Sequence, residues 1–167
     1  MSYTNYTVTA LIKEQQETRR KSFRILIVDD DQNIANSLST LLNFRGHNVT
    51  YVDDGAQCIA RCQDDKYDIV FLDYHMEGLD GAQAAEIVKD NAKKTLVFAY
   101  TGDSSDKAIS DFKTVGMDGV IVKPVDSASM DMLMNKIENS TCLDKATITS
   151  IARKSSRSIL IFDEVQF

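Results

Sequence analysis

Short apolar runs alternate with longer amphipathic stretches through the middle of the chain. The apolar runs are rich in aliphatic and β-branched residues: Ile25–Val28, Asn48–Val52, Ile69–Leu72, Leu96–Tyr100 and Val120–Val122. Near-continuous apolar runs of this length are typical of strands that are buried on both faces of a sheet. The pattern therefore predicts five strands.

The stretches between these runs carry apolar residues at helical spacing. Three of them are clear: Ile34, Leu38, Leu41 and Leu42; Ala108, Phe112 and Val115; and Met130, Leu133, Met134 and Ile137. Positions three and four residues apart share one face of a helix. Strand and helix signals that alternate in this way predict a βα repeat, which is an α/β fold with a parallel sheet covered on both faces.

The pattern weakens on both sides of this repeat. We predict an N-terminal extension over residues 1–22, helical from about residue 9, a domain over residues 23–138, and a C-terminal extension over residues 139–167 with an extra helix and strand. The run Ile159–Phe162 echoes the first strand of the domain. It is either the start of a second such domain in a longer chain, or a chance similarity between two apolar strands. In both cases it could add to a sheet edge or pair with a partner.

Composition narrows the classes of function. The chain has 167 residues, with 19 Lys and Arg against 25 Asp and Glu, a net charge of −6 that disfavours nucleic acid as a partner. The apolar runs are too short to span a bilayer, and the first residues do not resemble a secretory signal. Three cysteines, an odd number, indicate free thiols in a reducing compartment. Cys58 and Cys62 lie one helical turn apart, but free thiols are favoured over a metal site. We expect a soluble cytoplasmic protein without a membrane partner.

Polar residues follow four of the five predicted strands. They are Asp29 to Asp31 after the first, Asp73 after the third, Thr101 after the fourth, and Lys123-Pro124 after the fifth. With a strand order of 2-1-3-4-5, all four groups would meet at the carboxyl edge of the sheet, where open α/β sheets bind ligands.

The acidic residues at this edge suit a divalent cation. Asp29, Asp30 and Asp73 close together would repel one another unless a cation neutralised them. A small set of oxygen ligands favours Mg²⁺, which keeps positions for phosphate oxygens. Lys123 and Thr101 could bind further phosphoryl oxygens. Because a carboxylate can itself be the nucleophile, an acyl phosphate on an aspartate is chemically reasonable.

The acidic run allows two other interpretations. The spacing Asp29-x-Asp31-x-Asn33 is typical of a calcium loop, but Ile34 replaces the required glycine and Thr40 the required glutamate. The second interpretation makes Asp30 or Asp31 a helix cap without further function. We expect Asp31 to cap the first helix of the domain in either case.

The motifs together resemble the receiver domain of two-component response regulators over residues 23–138. They are the run Ile25 to Asp31, Asp73 with Met76 and Asp80-Gly81, Thr101-Gly102, and Lys123-Pro124. The resemblance implies a flavodoxin-like (βα)5 doubly wound sheet with strand order 2-1-3-4-5 and a cis Lys123–Pro124 bond. It implies that Asp73 is the phosphoacceptor, assisted by Thr101 and Lys123. It also implies that Mg²⁺ is held by Asp29, Asp30, Asp73 and the backbone carbonyl of His75.

The resemblance also implies partners and a role. A histidine kinase or a histidine phosphotransfer protein would donate the phosphoryl group, and the domain would act as a phosphorelay switch rather than an enzyme. A downstream protein would bind the face of helix 4, strand 5 and helix 5, and a homodimer through that face is left open. Two alternatives stand: a pseudo-receiver that takes no phosphate, and an aspartyl-phosphate phosphatase, which would need an aspartate where His75 stands.

This chain departs from the family pattern at two places, and two further positions bear on its chemistry. Glu77 stands where relatives usually have proline, and Val120 replaces an aromatic residue that acts as a rotamer switch in many of them. His75 and Asp103 occupy positions that tune the lifetime of the phosphoryl group in relatives. We expect output from this chain to depend on backbone and helix movements, or the domain mainly to relay phosphate.

Overall fold

A computed structural model describes residues 21–78, 80–139 and 158–162 of the chain. Three features named from the sequence lie outside the described residues: the helix predicted from about residue 9, the extra helix predicted after residue 139, and Cys142. Of the first of these helices, only its last residue, Lys21, is described. The proposed boundaries of the two extensions therefore stay predictions.

The sheet has five parallel strands in the predicted order. The strands are β1 Arg24–Val28, β2 Asn48–Val52, β3 Ile69–Leu72, β4 Leu96–Thr101 and β5 Gly119–Val122. Their order across the sheet is β2-β1-β3-β4-β5, which confirms the order expected from the sequence. In register, Ile27 of β1 lies between Tyr51 and Phe71. Every residue of β3 and β4 is buried, as their near-continuous apolar sequence predicts.

Within the described residues, one helix follows each of the five parallel strands. The helices are α1 Gln32–Phe44, α2 Gly55–Asp64, α3 Gly81–Asn91, α4 Asp106–Thr114 and α5 Ser127–Asn139. Asp31 caps α1, because its side chain accepts hydrogen bonds from the amides of Asn33 and Ile34. Asp126 caps the start of α5 in the same way, because its Oδ1 accepts a hydrogen bond from the Ser129 amide at 2.7 Å. Gly116 follows α4 with φ of +79°, a left-handed conformation that glycine adopts without steric cost.

Alternate residues of the strands point into two cores on opposite faces of the sheet. On one face, Ile25 and Ile27 belong to a cluster with residues of α1 and α5. On the other face, Leu26 and Val28 belong to a cluster with residues of α2, α3 and α4. The doubly wound architecture follows from this two-sided burial.

A sixth strand extends the sheet at the β5 edge. Strand β6, Ile159–Ile161, pairs antiparallel with β5. The Val122 amide donates to the Ser158 carbonyl at 2.8 Å, and the Phe162 amide donates to the Asp118 carbonyl at 2.9 Å. Ile159 and Phe162 are buried, one in each core. The apolar run near the end of the chain therefore closes both cores at this edge.

Candidate functional site

Four strand ends bring the candidate residues to one edge of the sheet. Asp29 follows β1, Asp73 follows β3, Thr101 ends β4 and Lys123 follows β5. The backbone fixes their spacing, because the Asp73 amide donates to the Val28 carbonyl and the Lys123 amide donates to the Thr101 carbonyl, both at 2.8 Å. The convergence expected from the strand order is what the structure shows.

Three carboxylates form a potential metal site at this edge. Asp29, Asp30 and Asp73 each offer an oxygen, and these oxygens all lie within 4.8 Å of one another. Asp29 and Asp73 are buried, whereas Asp30 is exposed. Oxygen ligands that are partly open to solvent suit Mg²⁺, which retains water and accepts phosphate oxygens in its other positions. The donor set therefore fits the cation that the sequence predicted.

Lys123 supplies a positive charge between two of these carboxylates. Its Nζ lies 2.5 Å from Asp29 Oδ2 and 3.4 Å from Asp73 Oδ2. The other oxygen of Asp29, Oδ1, accepts a hydrogen bond from the Asp31 amide at 2.9 Å. The Lys123–Pro124 peptide bond is cis, as the resemblance implied. Both oxygens of the buried Asp29 carboxylate thus have partners.

Burial sets the protonation behaviour of Asp73. It raises the pKa of this carboxyl above its ordinary value, and the negative charge of Asp29 acts in the same direction. The Lys123 ammonium and the His75 amide, which donates to Asp73 Oδ1 at 3.3 Å, act in the opposite direction. The net effect is a raised pKa. A cation bound beside the carboxylate would favour the ionised form that a nucleophile needs.

Two loop residues beside the site lie close to each other. The Asp103 amide donates to the Thr101 hydroxyl oxygen at 3.1 Å, which ties the loop after β4 to the end of the strand. In the loop after β3, His75 Nε2 lies 3.6 Å from Asp103 Oδ2, and the His75 side chain is exposed. The two positions that the resemblance singled out therefore meet beside Asp73 and Thr101.

An aromatic contact links the loop after β3 to helix α4. Val120, at the position where many relatives have an aromatic residue, is fully buried. As a valine, it offers no ring at this position. The Tyr74 ring instead packs edge-on against Phe112, with 4.8 Å between ring centroids, and its hydroxyl lies 3.3 Å from Asp111 Oδ2. The residue after Asp73 is thus in direct contact with α4.

Sequence reasoning missed how three residues support the site, although Gly81 belongs to a motif that it singled out. The Tyr51 hydroxyl donates to the Asp29 carbonyl at 3.0 Å. The Tyr100 ring lies under the Lys123 ammonium, with 5.0 Å from Nζ to the ring centroid. Gly81 is buried so close to the Asp73 carbonyl oxygen that a side chain would overlap it. The available signals were a tyrosine beside Thr101 in an otherwise apolar strand, and the Asp80-Gly81 pair itself.

Comparison with known proteins identifies the family. The profile of the response regulator receiver domain matches residues 25–137, which include all four strand ends. The chain belongs to the response regulator receiver domain family. This result confirms the resemblance that the strand-end motifs carried, and it confirms the flavodoxin-like fold class.

Relatives of this receiver domain include both long and short proteins. The CAI-1 autoinducer sensor kinase/phosphatase CqsS of Vibrio cholerae is 32% identical over 136 residues, which are 80% of this chain and 19% of that protein. Protein PilH of Pseudomonas aeruginosa is 30% identical over 118 residues, which are 68% of this chain and 96% of PilH. The chain therefore spans about a fifth of the kinase and nearly all of the shorter relative.

A solved structure shows the same fold. The receiver domain of a sensor histidine kinase from Pseudomonas aeruginosa PAO1 aligns with a TM-score of 0.66 and 23% identity, over 72% of this chain and 100% of that domain. That structure has a magnesium ion coordinated in its active site cleft. Within the described part of this receiver domain, no helix is both long and apolar enough to cross a membrane.

Proposed function

We propose that this receiver domain accepts a phosphoryl group on Asp73, in a Mg²⁺-dependent transfer from a phosphohistidine on a histidine kinase or a histidine phosphotransfer protein. The observation that carries the proposal is the arrangement of Asp29, Asp30 and Asp73 within 4.8 Å of one another, with the Lys123 ammonium beside two of them. Receiver domains as a family act in two-component signalling, which supports a switch or relay role.

The metal would be held by Asp29, Asp30, Asp73 and the backbone carbonyl of His75. When bound, Mg²⁺ would neutralise the carboxylates and orient the phosphoryl oxygens for displacement. The magnesium ion in the related kinase receiver domain supports this assignment. The exposed position of Asp30 leaves a side of the cluster open to solvent, by which a cation and a phosphodonor could enter.

The transfer would proceed by attack of an Asp73 carboxylate oxygen on phosphorus. A P–O bond forms as the P–N bond to the donor histidine breaks, and the electron pair of that bond returns to the imidazole nitrogen. Lys123 and the Thr101 hydroxyl would then bind phosphoryl oxygens. Lys123 is already 3.4 Å from Asp73 Oδ2, so a small movement of its side chain would be enough.

The proposed output is a contact with a downstream protein rather than with nucleic acid. The face of α4, β5 and α5 is the surface that the resemblance implies for a partner, and a homodimer through that face is left open. In this chain β6 already pairs with β5, so a partner there would contact the two helices and the outer side of β6. The cytoplasmic location stays a prediction.

Two other functions make different predictions for the same site. A pseudo-receiver would keep the fold without accepting phosphate, but the complete set of Asp29, Asp30, Asp73, Thr101 and Lys123 at one edge favours an active site. A phosphatase with an aspartyl phosphate would turn over a phosphate ester. His75, where such enzymes need a second aspartate, disfavours that function.

The test is to incubate the full chain with acetyl phosphate and Mg²⁺ and to measure its intact mass. We expect one phosphoryl adduct that hydroxylamine removes, that EDTA prevents and that Asp73→Asn abolishes. Asp53→Asn is the matched control, because Asp53 is an exposed carboxylate that follows β2. No adduct on the wild-type chain would favour the pseudo-receiver, and release of more than one equivalent of phosphate from an ester would favour the phosphatase.

A further inference from the structure

Tyr100 contacts the Lys123 side chain directly. Its ring lies under the Lys123 ammonium, 5.0 Å from Nζ to the ring centroid. Val125, two residues beyond Lys123, packs against the same core as Tyr100. Tyr100 is 5% exposed and belongs to the core between the sheet, α1 and α5, so the ring itself is held firmly.

We propose that Tyr100 is a positioning residue whose ring holds the Lys123 ammonium over the carboxylate cluster. This proposal rests on the proposed phosphoacceptor function, because it assigns the ring a part in the same reaction. Strand register explains the geometry: Tyr100 pairs with Ile121 and Thr101 pairs with Val122, so Lys123 emerges one residue beyond the paired ends.

A lysine needs such support because its side chain is long and flexible. Fixing the ammonium in one place costs rotamer entropy, which the Asp29 contact at 2.5 Å offsets in the structure. During phosphoryl transfer, however, Lys123 would have to exchange carboxylate oxygens for phosphoryl oxygens. An aromatic face attracts the cation without neutralising it, so the ring can hold the ammonium while its anionic partner changes.

The protonation state of Tyr100 is consistent with this role. Burial raises its pKa to about 12, and the negative charges of Asp29 and Asp73 contribute to the rise. The phenol therefore stays neutral under ordinary conditions, and it would not compete with the carboxylates for Mg²⁺. Its contribution is the face of the ring, not acid–base chemistry.

The first test uses the unphosphorylated full chain, so that it does not depend on the proposed function. The ring should shift the NMR resonances of the Lys123 side chain upfield. We expect Tyr100→Leu to abolish that shift and Tyr100→Phe to retain it. Phe98→Leu is the matched control, because Phe98 is a fully buried ring two residues earlier in β4 and in the same core. A Lys123 resonance that is the same in Tyr100→Leu and wild type would overturn the proposal.

The second test measures the rate of adduct formation with acetyl phosphate. We expect Tyr100→Leu to slow it about tenfold, the size of a partly buried cation–π contact, and Tyr100→Phe to keep at least about half of the rate. In a Lys123→Met background, Tyr100→Leu should have no further effect, whereas a purely structural role would lower the rate in both backgrounds. Equal losses in Tyr100→Phe and Tyr100→Leu would also contradict the role of the ring. If wild type forms no adduct, the proposed function fails, and the NMR comparison still decides whether the ring positions Lys123.

Discussion

Lys123 Nζ lies 2.5 Å from Oδ2 of Asp29, a carboxylate with no exposed surface. Removing one partner of a buried ion pair leaves an uncompensated charge in a poorly solvated place. We therefore expect Lys123→Met to lower the free energy of unfolding by about 3 kcal/mol when Mg²⁺ is absent. Saturating Mg²⁺ should narrow the gap to wild type, because the metal would supply the missing positive charge. Urea unfolding with and without Mg²⁺ measures both effects.

The matched control is Lys107→Met, on the exposed surface of α4. Lys107 forms an i,i+4 ion pair with Asp111 at 3.1 Å, but its side chain is 87% exposed. Exposed pairs are screened by solvent, so this variant should unfold like wild type at either Mg²⁺ concentration. If Lys123→Met loses the same free energy of unfolding with and without Mg²⁺, the metal does not replace the ammonium as the positive charge beside the carboxylates.

A second prediction follows from the raised pKa of Asp73. Burial is the main cause of the rise, so the ionised carboxylate lowers the stability of the folded state. The contribution of the protonated Asp73 carboxyl to folding stability is fully present below pH 3.8, the pKa of Asp73 in the unfolded chain. It is lost as pH rises through the higher pKa of Asp73 in the folded state. Asp73→Asn, which mimics the protonated form, should therefore be more stable than wild type at neutral pH without metal. The difference should disappear in acid.

Asp54→Asn provides a comparison of opposite sign. The pKa of Asp54 is lowered, chiefly because its carboxylate accepts a hydrogen bond from the Gln57 amide. Its ionised form contributes stability above 3.8 that is lost as pH falls, so Asp54→Asn should not stabilise the protein at neutral pH. Urea unfolding across the acid range measures both variants. If Asp73→Asn is less stable than wild type at neutral pH, then the attraction between Lys123 and the Asp73 carboxylate outweighs the cost of burying that carboxylate.

The location of the site could be predicted because it needs only the strand order. Residues that directly follow parallel strands lie at one edge of the sheet, so Asp29, Asp73, Thr101 and Lys123 meet as soon as the order is known. The buried strands are also visible in the sequence, because burial on both faces leaves near-continuous apolar runs.

The contacts that support the site could not be predicted in the same way. Tyr100 lies in β4 and Lys123 follows the neighbouring strand β5, so their contact joins distant parts of the sequence. Nothing in local periodicity indicates such a contact. The direction and place of β6 are equally hidden, since Ile159 pairs with Ile121 across a long stretch of chain. An apolar run indicates a strand but not its partner.

A third prediction concerns Gly81, which begins α3 beside the site. A Cβ at this position would overlap the Asp73 carbonyl oxygen and lie 2.9 Å from Tyr74 Cα, both of which are backbone atoms. Gly81→Ala must therefore move the backbone that carries Asp73. We expect a loss of about 1–3 kcal/mol in unfolding free energy and weaker Mg²⁺ binding by calorimetry. Gly102→Ala is the control, because a Cβ there meets nothing within 4 Å. Wild-type Mg²⁺ affinity in Gly81→Ala would show that the carboxylate cluster tolerates this movement.

The last prediction tests how β6 is held against β5. A Cβ on Gly119 would overlap the Leu160 carbonyl oxygen and lie 3.1 Å from Ile161 Cα, so Gly119→Ala should displace the strand. The amides of Val122 and Phe162, which join the two segments, should then exchange with solvent about tenfold faster or more.

The same Cβ would also lie 3.1 Å from Phe98 Cδ1, so a second variant is needed to separate the two effects. Ile159→Ala removes a buried β6 side chain without altering β5, and it should expose the same two amides. If Gly119→Ala lowers global stability while both amides keep their wild-type protection, the strain falls on Phe98 and β6 stays in place. If the amides of Val122 and Phe162 lose protection from exchange in both variants, Gly119→Ala displaces β6. The close approach of β5 and β6 then requires a glycine at position 119.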